Sequence, residues 1–230
     1  MFNLIAQEPD FLVISKFEDV PFHKDEEDVG LLQKIKSDLQ IETLYPVHRL
    51  DKMTSGVIVL ARNKETAREL AGLFSERKVE KCYVAIAGNK PQKKQGVIAG
   101  DMEPSRGGTW ILKRSFTNPA ITLFLSKSMR PGLRTYILKP LTGKTHQLRV
   151  ALKAIGAPII GDPLYSPSKE QISDRGYLHA YFLEFQLKGR LYSFLDLPSR
   201  GKLFQSQEFK ESFTEYMQIH TINWPPCKFG

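Results

Sequence analysis

The segment from Leu44 to Asn63, LYPVHRLDKMTSGVIVLARN, constrains the fold of this chain more than any other. Two apolar runs flank a polar, Gly-containing turn at Met53, Thr54, Ser55 and Gly56, which predicts two strands with a bend between them. One acid, Asp51, falls just ahead of that turn in the sequence HRLD. Loops carried by a rigid sheet can present a reactive side chain with fixed geometry. An aspartate before a turn ordinarily does no more than bond nearby backbone N–H groups. The arginine two residues earlier and the motifs further along favour a chemical role.

Periodicity extends the pattern. Asn3 to Ile5 and Phe11 to Ile14 read as short strands, and the acidic DEED at 25–28 introduces a helix near 29–39 with Leu31, Leu32, Ile35 and Leu39 at apolar spacing. Asn63 is placed to cap a helix in which Ala67, Leu70, Ala71 and Phe74 form one face, expected to back the neighbouring strands and to end around 76–78. Strands are expected at 79–87, 121–126 and 135–138, with loops and short strands over 88–120. A helix over 145–155 with Leu148, Leu152 and Ile155 on one face and Gly156 as its cap follows. Residues 177–187 and 191–195 form a hairpin about Lys188, Gly189 and Arg190. The expected class is α+β, a largely antiparallel mixed sheet with flanking helices.

Three blocks carry a resemblance: HRLD, TGKTHQLRVAL at 142–152 and GAPIIGDPLY at 156–165. In this order they resemble the RluA-type RNA pseudouridine synthases over about residues 4–200. The resemblance implies the pseudouridine synthase catalytic fold over 1–204; residues 205–230 lie beyond it and read as a C-terminal helix and tail of no assigned role. It leaves no room for the small S4-type RNA-binding domain that often precedes this domain. It makes Asp51 the catalytic aspartate, lays Tyr83 of the K-x-Y-x-A segment against the target base, and completes the pocket with Arg149. Arg49 is implied in flipping the base or gripping phosphate; alone it would read as a simple ion-pair partner. His48, Leu50, Thr54, Lys144, His146, Gln147 and Val150 are the further expected substrate-binding residues, the histidines as hydrogen-bonding scaffold. Phe17 after Lys16 (usually proline), Met53 (often polar) and Ala151 (often histidine) depart from the pattern without touching the catalytic groups.

Composition is that of a globular protein. Hydrophobic residues make up 41% of the 230 positions, enough for a full core. Net charge is +8, but residues 1–47 hold 4 Lys/Arg against 10 Asp/Glu, while 76–149 hold 15 against 4. A basic stripe is often only a solvated face; lying around the HRLD acid and the tyrosine it marks the expected phosphate-facing surface. No apolar run approaches the roughly 20 residues of a membrane span, and the N-terminus lacks signal-peptide character, so a cytoplasmic protein is expected. Cys82 and Cys227 suggest neither a disulfide framework nor a metal site.

Pseudouridine formation breaks the bond from ribose C1′ to base N1, turns the uracil, and rejoins it through C5. It needs no redox cofactor or group donor, and none is expected, nor any metal. A carboxylate can serve by attacking carbon or by stabilising charge at C1′ and moving a proton, and the sequence leaves both open. Arg149 is the expected cation that keeps an enclosed Asp51 ionised. Gly143-Lys144-Thr145 ends like a phosphate-binding loop but lacks the first glycine, since Leu138 stands there, and HRLD lacks the companion motifs of a kinase. The expected partner is ribosomal or transfer RNA and the expected state a monomer. The alternatives are a non-catalytic RNA-binding or RNA-folding protein and, more remotely, an RNA base glycosylase.

Overall fold

A computed structural model describes residues 1–22, 30–88, 91–166 and 173–229. In chain order its strands and helices are β1 (Phe2–Gln7), β2 (Phe11–Lys16), α1 (Leu31–Asp38), β3 (Tyr45–Pro46), β4 (Ser55–Ala61), α2 (Lys64–Ser75) and β5 (Glu80–Gly88). There follow β6 (Gln95–Gly100), β7 (Met102–Pro104), β8 (Trp110–Leu112), β9 (Ala120–Arg130), β10 (Leu133–Pro140), α3 (Gln147–Ala154), β11 (Leu178–Leu187), β12 (Arg190–Leu195), α4 (Lys202–Gln205) and α5 (Gln207–Phe213). Two compact units result, one of residues 1–81 with 179–198, the other of 82–178 with 199–230. The class is α+β with mostly antiparallel strands.

In the first unit β2 lies between β1 and β4, antiparallel to both, and β12 pairs antiparallel with β11. The β4–β11 pairing is parallel, at Ser55 with His179 and Gly56 with Ala180, which makes the sheet mixed. Every residue of β2 and of β4 is buried, as their continuous apolar runs require of strands covered on both faces. The core joins Phe11, Val13, Val57, Val59 and Phe185 to Leu70 of α2, with Ala67, Leu73 and Phe74 packed alongside. Asn63 caps α2 as its sequence predicts, its Oδ1 accepting from the Thr66 N–H at 2.8 Å. That helix ends at the Glu76 cap.

In the second unit the strand order is β5-β10-β9-β6, all antiparallel, with β7 and β8 as a separate ribbon. Both α3 and α5 pack on β9 and β10. The C-terminal segment is anchored by buried Phe209 and Phe213 and by the hydrogen bond between Ser212 and Thr135 hydroxyls at 2.6 Å.

The structure amends three local readings and leaves one outside its range. Ser55 and Gly56 belong to β4 rather than to the turn, because Gly56 pairs with Ala180; at φ +114° its missing Cβ would lie 2.1 Å from the Ala180 carbonyl oxygen. The helix expected from 145 starts at Gln147, because His146 takes a left-handed conformation, φ 56°. That helix is not one-faced: Gln147 through Leu152 are all buried. The helix expected over 29–39 is seen as Leu31–Asp38, while the DEED segment lies outside the described residues.

Candidate active site

The expected site residues are distributed over both units: His48, Arg49, Leu50, Asp51 and Thr54 in the first, Tyr83, Lys144, His146, Gln147, Arg149 and Val150 in the second.

Asp51 is half-buried in the connection 47–54 between β3 and β4, where its carbonyl accepts from the Thr54 N–H at 3.0 Å. Two side chains hold the backbone of this connection. Lys16, at the end of β2 and fully buried, donates from Nζ to the carbonyls of Phe17, Val20 and Lys52, each at 2.9 Å. His48 accepts the Val59 N–H on Nε2 at 3.0 Å and stacks on Phe74 at 4.4 Å between ring centres. An imidazole that accepts there must carry its proton on Nδ1. Burial, and then the nearby Lys81 ammonium, push the His48 pKa down to about 3, so the neutral acceptor persists far below neutral pH. Lys81 lies 5.7 Å above the Phe74 ring, and burial lowers its own pKa.

Leu50, Met53 and Thr54 are buried and Arg49 is exposed. Just beyond, buried His179 links three segments of the unit. Its Nε2 donates to the Asp196 carbonyl at 2.8 Å, and its Nδ1 is hydrogen-bonded with the Ser55 hydroxyl at 2.7 Å. The Asp196 carboxylate is 3.5 Å away, its pKa raised by burial with the Ser15 hydroxyl opposing.

In the second unit Tyr83 lies opposite Leu138 of β10, half-exposed between the buried Cys82 and Val84. The start of α3 is held by the Gln147 amide. Its Oε1 accepts from the Thr142 hydroxyl and the Lys144 N–H, and its Nε2 donates to the Ile121 carbonyl and the Thr122 hydroxyl. All four hydrogen-bonding positions of that amide are thus taken by the protein. Lys144 reaches Asn118 Oδ1 at 2.8 Å, and His146 Nδ1 lies 2.9 Å from the Tyr165 hydroxyl, which also accepts the Trp110 N–H. Val150 is buried.

Arg149, also buried, donates Nε–H to Asp162 Oδ2 at 2.7 Å and Nη2–H to Oδ1 at 2.8 Å, and its guanidinium stands 5.0 Å from the Tyr165 ring centre. Both partners are sealed from water, 4% and 2% exposed.

Lys16, His179, Asp162 and Tyr165 were not singled out by sequence reasoning. The only signals were a lysine closing an apolar strand, a histidine inside the run YLHAYF, and the polar residues of GDPLY. Among the described residues, no cluster of three or more His, Cys, Asp or Glu could hold a metal ion, and no helix is long and apolar enough to cross a membrane.

The family model described as RNA pseudouridylate synthase matches residues 10–154. A relative from Haemophilus influenzae, named as an uncharacterized RNA pseudouridine synthase, is 47% identical over 218 residues, 95% of each chain. The dual-specificity RNA pseudouridine synthase RluA of Escherichia coli is 34% identical over 189 residues, 78% of this chain and 84% of its own. Among solved structures, human RNA pseudouridylate synthase domain containing 1 superposes over 98% of this chain and 97% of that one with a TM-score of 0.76, a likeness of fold at 24% identity. The chain therefore belongs to the RluA-type family of RNA pseudouridine synthases, isomerases that act on RNA.

Proposed function

We propose that the protein flips specific uridines out of ribosomal or transfer RNA and isomerises them with Asp51 as the catalytic carboxylate. The observation that carries this reading is the frame around Asp51: a half-buried acid on a short connection whose backbone is fixed by a buried ammonium and a neutral imidazole. Catalytic groups act best when their geometry is set before substrate arrives.

Asp51 attacks C1′ or steadies the positive charge there while the C1′–N1 bond breaks; the uracil turns, C5 joins C1′ with cleavage of any Asp51–C1′ ester bond, and the C5 proton leaves as N1 regains one. Tyr83 stacks on the displaced base, and Arg149 supplies a cationic donor within the pocket. Arg49, exposed on the same connection as Asp51, occupies the vacated stack or grips phosphate. The basic bias of 76–149 supports an RNA-facing surface there, and the dual specificity in the name of the Escherichia coli relative supports more than one RNA class. We read the protein as a cytoplasmic monomer that needs no cofactor.

Incubation with RNA lacking the modification, followed by digestion and mass-resolved chromatography, should yield pseudouridine at a few positions. Release of free uracil would mean a glycosylase, and pseudouridine spread over many unrelated uridines would defeat the specificity.

A further inference from the structure

We propose that Phe116, backed by Phe229, forms an aromatic platform that stacks an unpaired base of the RNA outside the catalytic pocket. The inference rests on the reading of the protein as an enzyme of RNA, and it gives a role to residues 222–229, which lie beyond the motif blocks. Phe116 is 52% exposed, and among the described residues no other aromatic side chain is exposed. A single apolar side chain at a surface is ordinary. This one is built on. The Phe229 ring stacks against it, 5.2 Å between centres and 15° between planes, and Phe116 keeps its exposure with that partner in place. Ring surface is left for a third plane.

Both rings belong to the second unit, and each is held by its own segment. The loop 113–119 between β8 and β9 is gathered around Asp101, whose carboxylate accepts the Thr117 N–H at 3.0 Å and the Asn118 N–H at 2.8 Å. The Asp101 N–H donates to the Ser115 carbonyl and the Asp101 carbonyl accepts the Lys113 N–H, each at 2.8 Å. The Ser115 hydroxyl, and then the Thr117 N–H, hold the Asp101 pKa below the ordinary carboxylate value, so the clamp stays charged at neutral pH. On the other side the Trp224 ring lies 5.6 Å from Lys139 Nζ, and Cys227 Sγ donates to the Phe229 carbonyl at 3.4 Å. A platform fixed in this way needs little ordering when a base arrives.

Charge selects the occupant. Exposed Lys113 and Arg114 lie just before Phe116, and exposed Lys228 adjoins Phe229. Glu103 pairs with Lys113 at 3.1 Å, and Lys144 Nζ donates to Asn118 Oδ1 at 2.8 Å. Ser115 and Thr117, on either side of Phe116, are exposed and polar, so the ring is not the centre of an apolar patch for a protein partner. A flat ring among cations suits a nucleobase and its phosphates. The Lys144 bond sets this platform beside the TGKTHQLR block of the same unit.

The test compares two fluorescein-labelled strands of equal length and charge at one salt concentration: oligocytidylate, which has bases but no uridine to isomerise, and an abasic strand. The full chain should bind oligocytidylate more tightly. Phe116→Ala should weaken that binding about 10-fold, the scale of one lost stacking contact, and leave the abasic strand within about 2-fold. Phe116→Tyr should keep the wild-type affinity, and Phe229→Ala should fall between the two. Unchanged oligocytidylate binding by Phe116→Ala, an equal loss on both strands, or a full loss in a folded Phe116→Tyr chain would overturn the platform. Single-turnover isomerisation of unmodified RNA keeps the two readings apart. There Phe116→Ala should raise the half-saturating RNA concentration more than it lowers the saturating rate, and the reverse pattern would count against a site outside the pocket. Absence of pseudouridine with the wild-type chain, while base-dependent binding persists, would defeat the functional reading and not the platform.

Discussion

The connection bearing Asp51 and the helix bearing Arg149 are organised in opposite ways. Near Asp51 two described side-chain bonds go to main chain: Lys16 to the Lys52 carbonyl, His48 to the Val59 N–H. Around Arg149 they go to the arginine side chain itself, through Asp162. The loop that carries the acid is anchored through its backbone, and the arginine is clamped at its tip. A short side chain inherits the precision of its backbone, whereas a long one must be held near its end.

The contrast breaks most sharply at the acid. Asp51→Asn preserves size and hydrogen bonding, so RNA affinity should stay within a few-fold while isomerisation falls by about 10⁴-fold or more. Residual turnover above that limit in a sequence-verified preparation would remove Asp51 from the chemistry.

At the arginine the main cost should be stability. Arg149→Ala strands the buried Asp162 carboxylate, a loss of about 3–5 kcal/mol, to be measured by urea unfolding. A loss under about 1 kcal/mol would show that the clamp is not sealed from water.

Lys16→Met tests the loop-shaping side. It leaves three carbonyls without that donor, and one of them adjoins Asp51. The expected loss is about 1–3 kcal/mol, together with a slower rate at saturating RNA. A full rate with lowered stability would mean that the lysine supports the fold alone.

The mildest probe is pH. His48 has its pKa depressed in the folded chain, from 6.5 to about 3. Below pH 6.5 the unfolded chain takes up a proton that the folded one refuses, so this contribution is complete above pH 6.5 and is lost as pH falls toward 3. Allowing for partial exposure, about 1–2 kcal/mol should disappear between pH 7 and pH 4. A His48→Gln chain should lose less over the same interval, and an identical pH dependence would place the linkage at another group.

Sequence made the local parts legible. The Asn63 cap, the hairpin turn at Lys188 and Gly189 with φ 49° and 79°, and the buried runs of β2 and β4 follow from short-range rules, and all are present. The HRLD, K-x-Y-x-A and HQLR segments point to Asp51, Tyr83 and Arg149. What holds them in place was not readable, because the partners are distant: Lys16 and Lys52 are 36 positions apart, Ser55 and His179 are 124 apart. Asp162 is only 13 positions from Arg149, yet nothing in GDPLY says which residue its carboxylate will face. Helix α3 starts two residues past its predicted position at 145 because a left-handed His146 has no signature comparable to a glycine.

The close approach at Gly56 has a genetic consequence. Replacement there, five residues from Asp51, forces a side chain against the Ala180 backbone and pries apart the strands joined by Ser55 and His179. Such alleles should yield protein that works at low growth temperature and fails at high, since heating favours release of the wedge by unfolding. Random mutagenesis screened for heat-sensitive loss of pseudouridine would recover position 56 repeatedly, and would mark, without any structural knowledge, the strand contact beside the loop of Asp51.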